Sequence, residues 1–449
     1  MIVSQPPAPL PEEATDEGVP GEVYRERCAR FARARDALAL LGNRVANARL
    51  LAFGGAVVLL AAGLWRAAPL LWIPGLLLFG AFLVLVAYHR RIDHRRDRAA
   101  HLWEINAEGI ARLDRRWGDL PLRHALLPDP AHPYARDLDV FGPGSLLHLL
   151  QTVGTTQGNA TLADWLLHPA APEEIRARQG AVSELAPHID LRQELTLQAR
   201  LLGLPAPDPE PFLRWAVGVP VLTPRPWLLW ASRLSPLLLL VTLVLSFFGS
   251  SWAGLATAPL WLASLGTLGA LGVNALLHLR LSATALAATE RLAATERAFR
   301  AYADALQLIA EAPFQDPRLR RLQAALVADG EPAHRHMRRL YRLTGFALPG
   351  SHMFYLPVQL LTLWNVHLLA VLERWQARHG QRARDWLGVL GSVEALASLA
   401  TLRHDNPEWA FPILDDSAGE VDARDLAHPL LARAIRVAND VRVGPPGTF

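Results

Sequence analysis

Lysine is absent from all 449 residues, so every one of the 45 cationic side chains is an arginine. That excludes a Schiff-base lysine and a phosphate loop of the GK[ST] type, whose lysine reaches the β/γ-phosphates. The single cysteine, Cys28, excludes an intramolecular disulfide, a cysteine-rich zinc site and an iron–sulfur cluster, and it suits a reducing cytosol. Charge is also sparse. Only 19% of residues are charged, the net charge is +3, and 51% are hydrophobic. The chain is too apolar for an ordinary soluble enzyme and too polar for a pure membrane transporter. It fits a few membrane spans with a large soluble remainder.

Charge disappears altogether in four places. Residues 50–65 and 67–88 are uncharged and separated by Arg66 alone; residues 234–249 and 254–279 flank the short turn GSSWA. A span needs roughly 20 apolar residues, and snorkelling arginines extend a shorter run. The pattern predicts two transmembrane hairpins, 50–88 and 226–279. Trp227, Trp230, Trp252 and Trp261 lie near the ends of the second, where indole rings favour the interface. Arginines crowd the outer flanks, from Arg25 to Arg49, from Arg90 to Arg98, at Arg214, Arg225 and Arg233, and at Arg280 and Arg291. By the positive-inside rule both hairpins start and end in the cytoplasm. The expectation is four spans in a bacterial cytoplasmic membrane, with both termini and all soluble parts cytoplasmic.

The soluble remainder reads as mostly helical. Residues 1–21 are a disordered Pro- and acid-rich tail, 22–49 a basic helix, and 89–136 a polar helix followed by a proline-rich linker. Residues 137–225 form a helical unit in which Pro172, followed by Glu173 and Glu174, opens a helix. Residues 280–413 hold long helices: a seam from Leu279 to Ile309 predicts one continuous helix ended by Pro313. Residues 352–378 predict a buried central helix rather than a fifth span, and 380–403 one more helix. Residues 414–449 are short, β-branched and turn-rich, like the opening strands of an α/β domain.

Four stretches carry a family resemblance: residues 137–186 (DLDVFGPGSLLHLLQTVGTTQGNATLADWLLHPAAPEEIRARQGAVSELA), 356–375 (LPVQLLTLWNVHLLAVLERW), 391–412 (GSVEALASLATLRHDNPEWAFP), and HPLL with NDVRV between 428 and 443. In order and spacing the chain resembles the MutS family of DNA mismatch-repair ATPases, specifically its membrane-associated bacterial branch. The resemblance implies a mostly α fold: two transmembrane hairpins, a MutS-core-like helical domain with long lever helices, and the C-terminal start of an incomplete α/β ATPase domain. It implies ATP and Mg²⁺ as cofactors of a full-length member and a homodimer formed through the ATPase domain. Asn439 and Asp440 would mark the edge of the nucleotide site. The departures bear on activity. GPPGTF stands where the family's phosphate loop follows and lacks its lysine and Ser/Thr. Arg436 replaces an adenine-stacking aromatic. Nothing matches the mismatch-reading domain with its Phe-x-Glu wedge. The chain therefore reads as truncated before the phosphate loop, with no cofactor of its own and no ATP hydrolysis on its own.

One basic cluster remains. From 278 to 345 there are eleven Arg against seven Asp and Glu, with Arg335, Arg338, Arg339 and Arg342 beside His334 and His336. This fits phosphate contacts to the DNA backbone; a solvated face or anionic lipid headgroups fit it as well. His89, His94 and His101 are spaced by five and seven, which does not bring three ligands to one helical face. His367 beside Asn365 reads as a core histidine. Asp137, Asp139 and Asp164 make no recognisable acid/base pair, and no GxSxG anchors a Ser/His/Asp triad. The reading is a membrane-anchored MutS-like protein with lipid and DNA backbone as partners. The alternative is a membrane scaffold that binds lipid or protein and has no DNA role. A transporter ranks last, because the spans hold almost no polar residue beyond Arg66, Arg233 and Asn274.

Overall fold

A computed structural model describes residues 19–66, 68–123, 132–203, 208–248, 260–328, 330–415 and 419–444. The N-terminal tail before Val19, part of the proline-rich linker, the GSSWA turn and the closing PPGTF lie outside the described residues. The chain is mostly helical. In order come α1 (Pro20–Trp65), α2 (Trp72–Leu113), α3 (Leu146–Leu150), α4 (Thr156–Leu167), α5 (Pro172–Leu185), α6 (Ile189–Arg200) and α7 (Glu210–Val217). Then follow α8 (Pro226–Phe248), α9 (Leu260–Ala294), α10 (Glu296–Glu311), α11 (Pro317–Ala324), β1 (Val327–Ala328), β2 (Glu331–Pro332) and α12 (Ala333–Thr344). The last elements are α13 (Tyr355–Thr362), α14 (Trp364–Asp405), β3 (Val421–Leu426) and β4 (Asn439–Val443). They divide between two units, one within 19–152, 169–197 and 397–444, the other within 153–168 and 198–396.

In the first unit α1 and α2 run side by side as one long hairpin. Pro20 sits in the first turn of α1, where its missing N–H costs nothing, and α1 ends where Arg66 caps onto Ala62. Small residues set the close approach: a Cβ on Gly75 would lie 2.9 Å from the Leu60 side chain, and one on Gly109 2.9 Å from the Tyr24 ring. The apolar halves leave Leu51, Val58, Leu70 and Leu77 exposed. The polar halves pack on α6 through Val23, Tyr24 and Ile189 and through Leu102, Ile105 and Leu197. A polar network lies beneath. Tyr24 donates to Asp405 at 2.7 Å, Arg192 to Thr401 at 2.7 Å, and Arg27 to Gln193 and Asp190. Burial, together with the Asp405 charge, raises the Tyr24 phenol far above its ordinary range, so the hydroxyl stays a donor.

In the second unit α8 and α9 form the other hairpin and α10 pairs with α12. The continuous helix expected from 279 to 309 is broken at Thr295. Its hydroxyl bonds back to the Arg291 and Leu292 carbonyls at 3.3 and 3.0 Å, and its own N–H reaches Leu292. Such back-bonding competes with the helix ladder. The expected helix over 352–378 is also broken, at Leu363, which is left-handed with φ 51°. Beyond it, the two helices expected to either side of residue 379 are one. α14 runs through Gly380, where a Cβ would overlap the Ala216 carbonyl of α7, so the residue is glycine for close approach. Among the described residues, five helices are long and apolar enough to cross a membrane: α1, α2, α8, α9 and α14. In α14 the apolar window is 72% buried within the protein, against 6 to 33% in the other four.

Candidate functional site

The basic cluster falls on α12, a helix of 12 residues that buries Ala333, His334, His336, Met337, Leu340 and Thr344. The spacing leaves Arg335, Arg339 and Arg342 on the opposite, exposed face, at i, i+4 and i+7. None of these three makes a hydrogen bond or ion pair among the described residues. Arg338 differs. It is half-buried and donates to Asp304 at 2.8 Å and to Gln307 at 2.6 Å, both on α10. Its charge is already neutralised, so the four-arginine cluster of the sequence reduces to three outward guanidiniums braced by the fourth. His334 and His336 are core residues rather than surface cations. Burial, with the Arg338 charge beside it, lowers the His334 pKa. The His336 ring stacks on His379 at 3.9 Å between centroids and lies parallel to Trp386.

Asn439 and Asp440 open β4, the second strand of an antiparallel ribbon with β3. Both are exposed. Asn439 pairs with Leu426, and Asp440 accepts the Asp425 N–H at 3.0 Å, where Asp425 has φ 52° in the bulge between Ala423 and Leu426. Asp440 therefore satisfies a strained bulge, and the two residues line no phosphate cradle among the described residues. Arg436, where the resemblance calls for an aromatic, sits over the Trp409 ring at 5.2 Å.

Two of the three histidines of α2 have local partners. His89 lies 3.5 Å from Asp93, and His101 3.1 Å from Glu104. No group of three or more metal-ligating side chains occurs among the described residues.

Two buried carboxylates on α14 were not singled out from the sequence. Glu373 accepts the N–H groups of Val221, Leu222 and Thr223 at 2.6 to 2.9 Å, and the Thr223 hydroxyl. It pins the turn that enters α8, as a carboxylate in a nest of backbone donors does. Glu394 faces the Thr155 hydroxyl, the N-cap of α4, and burial pushes its pKa up to about 7 against the hydrogen bonds that lower it. The signal was present: Glu394 is the only charged residue between Asp385 and Arg403. A cavity of ≈ 270 Å³ lies among Phe212, Trp215, Val221, Ala288, Leu292 and Leu369. Its buried polar lining is spent on backbone, Glu373 as above and Gln376 on the Trp215 and Gly218 carbonyls at 2.6 and 2.9 Å. These groups hold structure; they do not converge on a reacting atom.

No family model, curated protein or solved structure matches this chain.

Proposed function

We propose that this chain is the membrane-anchored helical core of a MutS-like protein and that the outer face of α12 meets the phosphate backbone of DNA. The observation that carries the reading is the unpaired, exposed row Arg335, Arg339 and Arg342, standing on a helix whose other face is core. Guanidiniums spaced by one and two helical turns bind phosphates without reading sequence. The two apolar hairpins supply the anchor. A second reading has its own support: exposed Phe346, Met353 and Phe354 follow α12 directly, so the same arginines would suit anionic lipid headgroups.

The test is duplex binding by the whole chain in detergent, compared with Arg335→Ala, Arg339→Ala and Arg342→Ala combined. The expected result is weaker binding to all sequences alike. The slope of log affinity against log salt should fall by about 0.9 for each phosphate no longer neutralised. Unchanged DNA binding, with loss of binding to phosphatidylglycerol vesicles, would give the face to lipid. The reading also expects these 449 residues to release no phosphate from ATP above a heat-treated control, because no lysine is present to neutralise the β/γ-phosphates. Turnover abolished by Asp440→Asn would contradict it.

A further inference from the structure

The longest uncharged stretch outside the hairpins runs from Leu343 to Leu372, 30 residues without Asp, Glu, Lys or Arg. Its path follows α9. Gly350 donates its N–H to Glu290 at 3.0 Å. The Tyr355 ring then lies 5.9 Å from His278, and the Leu360 carbonyl accepts from the Asn274 amide at 2.8 Å. After the left-handed Leu363 the chain returns. Leu363, Val366, Leu369 and Ala370 share a core with Leu277, Leu281 and Ala285. The segment thus descends along α9 from residue 290 to residue 274, turns, and climbs back as the start of α14.

The depth of that turn follows from the sequence of α9. Arg280 is the first charge after the apolar run, and Asn274 lies six residues inside it. At 1.5 Å per residue the turn reaches about 9 Å past Arg280. Its outer surface is apolar and uncovered: Met353 is 81% exposed, Phe354 55%, Leu356 53% and Leu361 49%. α13 packs against α9 and α8, and α9 leaves its own apolar Leu268, Val273 and Leu276 exposed.

Irregular backbone survives at membrane depth only when its polar groups are satisfied internally, and internal bonds bridge the turn here, with the Gln359 Nε2 the one buried side-chain atom of the segment left without a partner among the described residues. Asn274 takes the Leu360 carbonyl, and Gln359 accepts the Asn365 N–H at 3.1 Å. Asn365 exchanges two bonds with the Leu348 backbone, and the Trp364 indole donates to the Phe346 carbonyl at 2.7 Å. Ser235 of α8 donates to Asn274 and fixes its amide.

From this geometry we infer that residues 346–364 form a re-entrant element immersed in the acyl and headgroup boundary of one leaflet, with Met353, Phe354, Leu356 and Leu361 facing lipid. The inference rests on the reading that α8 and α9 span the membrane. It makes the second hairpin a three-part anchor and seats the N-terminal end of α14 at the membrane surface.

The test uses the full chain with Cys28→Ser and one new cysteine at a time: Leu356→Cys, Leu361→Cys, Leu240→Cys in α8 and Asp385→Cys on exposed α14. Each is labelled with an environment-sensitive nitrobenzoxadiazole dye and reconstituted in phosphatidylethanolamine–phosphatidylglycerol vesicles containing doxyl lipids. The expected result is a blue-shifted emission at 356 and 361 that shallow doxyl groups quench. Position 240 should be quenched by deep doxyl groups, and position 385 by neither. Quenching at 240 with none at 356 and 361 would overturn the re-entrant element and leave the hairpin standing. Blue-shifted but unquenched emission at 356 and 361 would mean a protein surface covers the segment, which also overturns it. No quenching at 240 would remove the spanning reading, and the re-entrant element with it.

Discussion

The two hairpins solve one problem with different chemistry. The α1/α2 pair has no hydrogen bond between side chains of its apolar halves among the described residues; it closes by small residues, with Gly75 against Leu60, Gly63 against Trp72, and Phe53 beside Phe82 at 5.1 Å. The α8/α9 pair is held by polar contacts, Ser235 with Asn274 and Ser246 with Thr267 at 3.3 Å, and it carries α13 alongside. If the hairpins lie in lipid as proposed, no hydrophobic drive acts between their helices, and close packing and interhelical hydrogen bonds are the two devices left. The first hairpin relies on close packing, and the second adds hydrogen bonds to a close approach of its own, where a Cβ on Gly266 would lie 3.2 Å from the Thr242 side chain. The difference matters because a polar contact can also accept a broken backbone, which a glycine contact cannot.

The largest effect that would break this comparison is overpacking. Gly75→Leu should cost about 3 kcal/mol, the upper range for added methylenes in a filled interface, and Asn274→Leu should leave the first hairpin intact. Thermal unfolding in detergent, followed by cysteine cross-links placed in each hairpin, measures both. A Gly75→Leu chain with an unchanged α1/α2 cross-link would show that glycine approach is not what closes that pair.

Asn274→Leu should act on the second hairpin at about 2 kcal/mol, the cost of an unsatisfied buried carbonyl at Leu360. Amide hydrogen exchange would detect it as diminished protection across 355–366. Protection unchanged there would detach α13 from the polar brace.

A smaller effect sharpens the comparison outside the apolar runs, where the second unit again buries a polar group. The folded pKa of Glu394 is raised to about 7 from 4.5, so the folded state binds the proton more tightly. Its contribution is fully present below pH 4.5 and is lost as pH rises through about 7. The slope is at most about 1.4 kcal/mol per pH unit. Glu394→Gln should remove that slope from the stability curve measured by denaturant titration. An identical slope in the variant would assign it to another group. Tyr24→Phe in the first unit should cost about 1.5 kcal/mol, the low end for a hydrogen bond to a charged group, here Asp405.

Much of the architecture was legible because charge is so unevenly spread. Four uncharged runs marked the hairpin helices, and Pro172 stands at a helix start as proline chemistry requires; Pro20 instead opens α1 inside the stretch that read as a disordered tail. The breaks were not legible. Thr295 looks like any helix-tolerant threonine until its hydroxyl is seen bonding backward, and the turn at Leu363 depends on Asn274, 89 residues away in sequence. The joining of the two helices expected over 352–378 and 380–403 into α14 was not legible, because the Ala216 backbone that packs on Gly380 is remote in the chain. At the α12 site, the arginine row was visible in spacing, whereas the capture of Arg338 by Asp304 needed the α10/α12 pairing. The resemblance places Asp440 at the edge of a nucleotide site; its bond to the Asp425 N–H in the bulge followed only from the ribbon register.

Everything proposed for this chain requires both hairpins to cross the membrane with the helical parts on the cytoplasmic side. In a Cys28→Ser chain, single cysteines at Arg66→Cys and Ser251→Cys in the two turns, and at Arg33→Cys on the exposed face of α1, report this directly. A membrane-impermeant maleimide should label residues 66 and 251 in intact cells and residue 33 only after lysis. Labelling of residue 33 in intact cells, or protection of either turn until lysis, would contradict it.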